Sequence, residues 1–168
     1  MKTYNLPNKD IKITGDELDH LIKQREQESG VWKPEDNGEY YYVNDTLCVV
    51  ANSWHNLQPD ITRYKSGNVF KTEEEAEAYA EYLKAKAEVA HAIREANGGW
   101  TPDWDDCDRK VFFLYFNYEK RTWSLSWNRV REKSFLPYAK NREILKNIRD
   151  EQAGELETIA NYRKHHNV

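Results

Sequence analysis

The sequence predicts an α+β fold, and three observations carry that reading. A long amphipathic helix is written between Thr72 and Gly98-Gly99, and a run of aromatic and β-branched residues stands on each side of it. Two similar openings, Trp32-Lys-Pro34 and Trp100-Thr-Pro102, precede those runs, so each leads to a hairpin and then to a helix. That is the pattern of a duplicated ββα unit. The expected architecture is antiparallel β hairpins packed on a long central helix and on C-terminal helices. Residues 1–30 would be an N-terminal tail and peripheral helix, 31–99 the first ββα unit, and 100–168 the second unit with the C-terminal helices, all in one compact domain.

Residues 1–12 have no hydrophobic period and contain Asn8-Lys9-Asp10, which fits a tail or a short strand. Thr14 and Glu17 have the spacing of a capping box, in which a hydroxyl and a carboxylate satisfy two orphan amides at a helix start. The helix they open carries Leu18, Leu21 and Ile22 on one face and ends by Ser29-Gly30. Its apolar strip is narrow, so it belongs at the periphery or against another chain. Tyr40 to Val43 are strong strand formers, Asn44-Asp45 signals a tight turn, and Thr46 to Ala51 returns as the partner strand. Trp54 to Lys65 is polar and holds Pro59-Asp60, which predicts a loop or a short third strand.

The long helix has its own capping box, Thr72 with Glu75, and glutamates at 73, 74, 75 and 77 that favour the positive end of its macrodipole. Ala76, Tyr79, Ala80, Leu83, Ala87, Ala90 and Ile93 form the predicted core stripe. Asn97, Gly98 and Gly99 are expected to supply the left-handed conformations that end it. In the second unit Lys110 to Tyr118 predicts a strand, Glu119-Lys120-Arg121 a turn, and Thr122 to Trp127 the returning strand. A helix is expected from about Pro137, with Tyr138, Ile144, Leu145 and Ile148 on one stripe; Ala153-Gly154 breaks it and Glu155 to Tyr162 resumes it. Trp123, Leu125 and Trp127 alternate with hydroxyl residues, whereas the partner strand is apolar on both sides, with Phe112, Leu114 and Phe116 on one and Val111, Phe113 and Tyr115 on the other. A doubly apolar strand is expected to be covered on both faces, by helices or by a partner. Together with the narrow first helix, it suggests a homodimer.

At 168 residues the chain can bury a real core, and its six Trp and eleven Tyr must carry much of that burial. A net charge of −4 disfavours a strong sequence-independent grip on nucleic acid. Cys48 and Cys107 have no metal spacing, nothing at the N-terminus reads as a signal peptide, and no apolar run is long enough to span a bilayer. The expectation is a reduced, cytoplasmic protein with no membrane partner.

Chemistry-bearing constellations are few. The acidic run Asp103 to Asp108 lacks the glycine and the terminal glutamate of a helix-loop-helix calcium site and reads as a solvated loop. Pro102-Asp103 with Asp108-Arg-Lys110 imitates a nuclease pattern, but the two halves lie too close for the intervening turn. His20, His55 and His91 have no second ligand at a characteristic spacing, His165-His166 close the chain, and no nucleophile motif or glycine-rich phosphate loop is present. No enzyme activity, metal or cofactor is therefore expected. The one stretch where cations and aromatics interleave has Arg121, Arg129, Arg131, Lys133, Lys140 and Arg142 around Trp123 and Trp127. Arg121, Trp123, Trp127, Arg129 and Arg131, with Tyr115, are the candidate ligand- or partner-binding residues, able to stack a base and hold a phosphate. The bland alternative makes the Trp residues core and the cations a solvated rim. The glutamate-rich helix offers a different possibility, imitation of a DNA phosphate row.

The segment Gly67-Asn-Val-Phe-Lys-Thr-Glu-Glu-Glu-Ala-Glu77, with Trp32-Lys-Pro34 and the Tyr40 to Val43 strand, resembles a group of small uncharacterised proteins of tailed phages and prophages. These carry an aromatic hairpin, the phrase Gly-Asn-x-Phe-Lys-Thr-x-Glu-Glu-Ala-Glu opening a helix, then a second hairpin and helix with a Gly-Glu phrase. Ala153-Gly-Glu-Leu-Glu-Thr-Ile159 resembles that ending, while Phe135-Leu-Pro137 departs from the usual Ser- or Thr-capped start. The resemblance implies a phage setting in the host cytoplasm and supplies no catalytic residues. The function expected is a non-enzymatic accessory protein that binds and neutralises a host component, either as a counter-defence inhibitor of a host protein or by sequestering a nucleotide signal. The alternative is single-stranded nucleic-acid binding linked to phage replication.

Overall fold

The computed structural model describes residues 3–5, 12–14, 17, 32–106, 109–129 and 135–166. In chain order they form β1 (Thr3–Asn5), β2 (Lys12–Thr14), β3 (Glu39–Val43), β4 (Val49–Ser53), α1 (Gln58–Lys65), α2 (Glu73–Asn97), β5 (Lys110–Asn117), β6 (Thr122–Arg129), α3 (Arg142–Glu151) and α4 (Ala153–His166). Among the described residues the strands pair as β1-β2, β3-β4 and β5-β6. The fold is α+β with a long central helix, as the sequence predicts. Two compact units are present, Met1–Tyr42 with Val49–Ala76, and Val43–Cys48 with Glu77–Val168. The division falls inside α2 rather than behind its terminal glycines.

In the first unit β1 runs antiparallel to β2, with Thr3 opposite Thr14. The helix expected after Thr14 lies outside the described residues except for Glu17, which is helical. Where a loop or third strand was expected, the chain forms α1. Pro59 suits a first turn because its missing N–H would be unpaired there anyway. The Asp60 carboxylate accepts from the backbone N–H groups of His55 and Leu57, both at 3.1 Å, and from the Tyr40 hydroxyl at 2.8 Å. The Tyr40 oxygen in turn accepts from Arg63 Nη1 at 2.7 Å and Asn52 Nδ2 at 3.1 Å. Arg63 also lies over the Tyr42 ring, 3.7 Å from its centroid. Both Tyr40 and Asp60 are buried, so this network fastens α1 to the hairpin through fully partnered polar groups. Burial pushes the Asp60 carboxyl pKa up, yet the hydrogen bonds from Tyr40, His55 and Leu57 and the Arg63 charge outweigh it and leave the pKa lowered.

The turn between β3 and β4 is longer than Asn44-Asp45 alone. Asn44 Oδ1 collects the Thr46 amide at 3.0 Å, the Thr46 hydroxyl at 2.8 Å and the Cys48 amide at 2.9 Å, so β4 begins at Val49 rather than Thr46.

The α2 start keeps half of its predicted capping box. Thr72 Oγ1 accepts from the Glu75 amide at 3.3 Å, but the Glu75 carboxylate reaches one residue further back, to the Lys71 amide at 3.0 Å. Of the predicted core stripe Ala76, Ala80, Ala90 and Ile93 are buried and Tyr79 and Leu83 are partly buried, so only Ala87 departs from it. Tyr82, Ala85, Val89 and Ile93 are buried in the second unit's core and Ala87 is exposed, because Leu114, Leu136, Leu145, Leu156 and Ile159 close on that side. Asn97 does not take a left-handed conformation; only Gly98 and Gly99 do, with φ of 62° and 79°. Asn97 stays helical, and its buried side chain donates to the Tyr138 carbonyl at 2.8 Å and accepts from the Lys140 amide at 3.1 Å.

That clamp explains why the next helix starts late. Ala139 exchanges both backbone hydrogen bonds with Phe112 of β5, at 3.1 and 2.9 Å, so Tyr138 and Ala139 are extended rather than helical. The α3 helix begins at Arg142 behind an Asn141 cap whose Oδ1 accepts from the Ile144 amide at 3.0 Å. The chain after the first hairpin does the same thing. Phe70 exchanges both backbone bonds with Tyr41 of β3, and Lys71 and the capping Thr72 follow, as Lys140 and Asn141 follow Ala139. The capped start that seemed missing at Phe135-Leu-Pro137 is therefore present further on, and the local motif occurs twice. Gln152, not Ala153-Gly154, separates the last two helices.

Two outcomes follow. Ile93→Ala should cost about 2–5 kcal/mol in chemical denaturation, because it empties a fully buried site, whereas Ala87→Lys should stay within about 0.5 kcal/mol of the native chain. Asp60→Ala should cost about 1–3 kcal/mol near neutral pH, leaving buried donors unpaired. Because the Asp60 pKa is lowered on folding, its contribution is present above the ordinary carboxylate value and lost as pH falls through the folded one. The gap between native and variant stabilities should thus shrink in denaturation series run at successively more acidic pH.

Candidate functional site

The second hairpin sets the geometry. Phe112 stands opposite Trp127, Leu114 opposite Leu125 and Phe116 opposite Trp123, and residues directly opposed across an antiparallel ladder share a face. This face packs into the core with α2, α3 and α4. Its anchor is Trp123, only 9% exposed, whose indole N–H donates to the Leu156 carbonyl of α4 at 2.8 Å. The other face is less covered than a doubly apolar strand predicts. Val111 is buried, but Tyr115 is 39% exposed.

Between the turn end of this hairpin and α4 lies a cleft of about 680 Å³. Its floor is apolar and buried, from Trp123, Leu156 and Ala160. A row of rings leads out of it. Phe116 meets Trp123 edge-on at 5.7 Å between centroids, and the exposed Tyr118 meets Phe116 edge-on at 5.1 Å. The rim carries Arg121 from the turn, Arg149 from α3, and Glu157, Asn161 and Lys164 from α4. Arg149 is engaged by its neighbour, both Nε and Nη2 lying 2.9 Å from Asp150 Oδ1. The side chains of Arg121, Glu157, Asn161 and Lys164 make no hydrogen bond or ion pair with another described residue. Glu157 and the cations therefore share a cleft without neutralising one another. Arg121 also holds a left-handed backbone, φ 49°, at a place where glycine would sit without strain.

The predicted binding residues do not converge on one spot. Arg121 and Trp123 line the cleft. Trp123 serves as its wall, since it is buried and its N–H is already spent on Leu156. Trp127 is on the same face of the hairpin but at its opposite end, 52% exposed, with Lys110 Nζ 4.5 Å from its ring centroid. Tyr115 is on the other face, opposite Ser124. Arg129 ends β6, and Arg131 and Lys133 lie outside the described residues. Lys140 Nζ donates to the Asn97 carbonyl at 3.2 Å, and Arg142 opens α3. Sequence reasoning missed Tyr118, Arg149, Glu157, Asn161 and Lys164. A signal existed for three of them, because Glu157, Asn161 and Lys164 follow one another at helical spacing beside Leu156 and Ala160.

A second aromatic surface occupies the other face of the hairpin. Tyr115 and Phe113 are 6.2 Å apart, Phe113 meets Tyr138 edge-on at 6.1 Å, and Trp104 meets Tyr138 edge-on at 6.2 Å. In the acidic loop the Asp105 amide donates to Asp103 Oδ1 at 3.1 Å, while Cys107 and Asp108 lie outside the described residues. Among the described residues no three His, Cys, Asp or Glu side chains gather as a metal site. Among them, too, no helix is long and apolar enough to cross a membrane.

Comparisons with protein-family models, with curated proteins and with solved structures find no match for this chain.

The strain at Arg121 is measurable. Arg121→Gly should raise stability by about 1 kcal/mol in urea denaturation, since glycine adopts this backbone freely. A loss of stability would mean that the arginine side chain supports the fold.

Proposed function

We propose that this protein is a non-enzymatic binder that takes up a small anionic nucleotide in the cleft between the second hairpin and α4, and so removes a signal from its host. The observation that carries this is the pairing of two cations that have no partner among the described residues, Arg121 and Lys164, with an apolar aromatic floor in one cleft of about 680 Å³. That volume falls in the range of pockets that enclose small ligands. A ligand with a phosphate end and a flat ring end satisfies both halves at once. The phosphate is held by the guanidinium and ammonium, and the ring covers the row of Tyr118 and Phe116. The phage setting and the host cytoplasm rest on the sequence resemblance, as does the purpose of neutralising a host component.

The test is isothermal titration of the purified chain with ribonucleoside diphosphates. Saturable binding is expected, with the double variant Arg121→Ala and Lys164→Ala losing at least about tenfold in affinity at unchanged melting temperature, because both side chains are exposed and unpaired. Absence of binding by every nucleotide, or binding indifferent to the double variant, removes the proposal.

The second reading, single-stranded nucleic-acid binding, is favoured by the exposed rings Tyr115 and Trp104, held by the partly buried Phe113 and the buried Tyr138 between them, since bases stack on exposed rings. It predicts oligonucleotide binding that weakens steeply with salt and is abolished by Trp104→Ala with Tyr115→Ala.

A further inference from the structure

We infer that the nucleotide taken by this cleft carries guanine, whose edge is read by Glu157 and Asn161; the inference rests on the cleft being a nucleotide site. A carboxylate in a cleft built around cations needs explaining, since it repels the phosphate the cations attract. Glu157 is not paired with Arg121, Arg149, Lys164 or any other described residue, so its acceptor oxygens are open to a ligand. An ionised carboxylate only accepts, and it pairs best with two adjacent donors.

The bases differ sharply in what they offer it. Guanine presents a ring N–H beside an amino group, two donors side by side, with a carbonyl acceptor next in line. Adenine and cytosine place an acceptor nitrogen beside their amino group, which would face the carboxylate with like charge. Uracil offers a single N–H between two carbonyls. Asn161 completes the match. It lies one turn beyond Glu157 on the same face of α4, at the separation of neighbouring helix side chains, and its side chain also makes no bond to a described residue. Its amide can donate to the guanine carbonyl while Glu157 accepts from the two donors. Lys164, a further turn along, and Arg121 remain for the phosphates.

The experiment compares guanosine, inosine, adenosine and cytidine diphosphates by isothermal titration of the full chain, and repeats the series with Glu157→Gln. Guanosine diphosphate should bind tightest. Inosine diphosphate, which lacks only the amino group, should bind about tenfold more weakly, and the adenine and cytosine nucleotides more weakly still. Glu157→Gln should keep the native melting temperature and lose the preference for guanine, without weakening adenosine diphosphate. Binding of all four with equal affinity, or a guanine preference that survives Glu157→Gln, overturns this inference and leaves the nucleotide site standing. A preference for ribose over deoxyribose that ignores the base also overturns it, because it assigns the carboxylate to the sugar hydroxyls. Failure of all four to bind overturns the inference and the site together.

Discussion

The second unit depends on one anchored contact, the Trp123 indole buried against α4 with its N–H on the Leu156 carbonyl. A tryptophan in an apolar core must place its single donor somewhere, and a helix carbonyl within reach resolves that demand while the ring fills volume. The bond pins the first turn of α4 to the start of β6. The turn end of the hairpin, from Phe116 to Thr122, then stands beside α4 from Ala153 to Lys164 with a space between them. The cleft is thus a by-product of where the core stops. Its floor is the core's own outer layer, and its rim is whatever the turn and the exposed face of α4 carry.

The two units achieve order by different means. In the first, a short helix is held by a polar knot in which Tyr40, Asp60, Arg63 and Asn52 satisfy one another, with Trp54 edge-on to both Tyr40 and Tyr64. Such a network tolerates little change, because removing any member strands the others in a poorly solvated place. In the second, aliphatic burial around Val89, Ile93, Leu114, Leu145 and Ile159 dominates, and the polar contribution is confined to Asn97 and Trp123. Aromatic stacking joins α2 to α4 at one end of that core, where Tyr82 and Tyr162 lie with centroids 4.5 Å apart. A repeated device feeds α2 and α3: a residue bridging back to the hairpin, a lysine, then a capping side chain.

Some exposed charges pair along their helices, as Lys84 does with Glu81 and Lys146 with Glu143, while others, such as Lys65, Glu77 and Glu88, pair with no described residue. In the cleft the side chains of Arg121, Glu157 and Lys164 pair with no described residue, and Arg121 keeps a backbone conformation that costs energy for any side chain. Unspent hydrogen-bonding capacity above an apolar floor is the physical form of a recognition site, since the ligand supplies the partners that the protein withholds.

Local chemistry was legible in the sequence wherever a short range decided it. The α2 capping residue and terminal glycines, both hairpins, and the alternation that sorts Phe112, Leu114 and Phe116 from Val111, Phe113 and Tyr115 follow from propensity and period alone. What the sequence could not decide were matters of distant partners. Tyr40, twenty residues away, helps to make Gln58–Lys65 a helix by giving Asp60 a buried donor. Asn97 and Phe112 delay α3 to Arg142 by holding Tyr138 and Ala139 extended. The core stripe of α2 runs through Val89 rather than Ala87 because alanines mark a close approach on either side, and only the opposing leucines choose between them. The candidate site obeys the same division: the chain announced cations beside tryptophans, but which of them share a space was settled by the packing of α4 on Trp123, a contact made across 33 residues that no local pattern encodes.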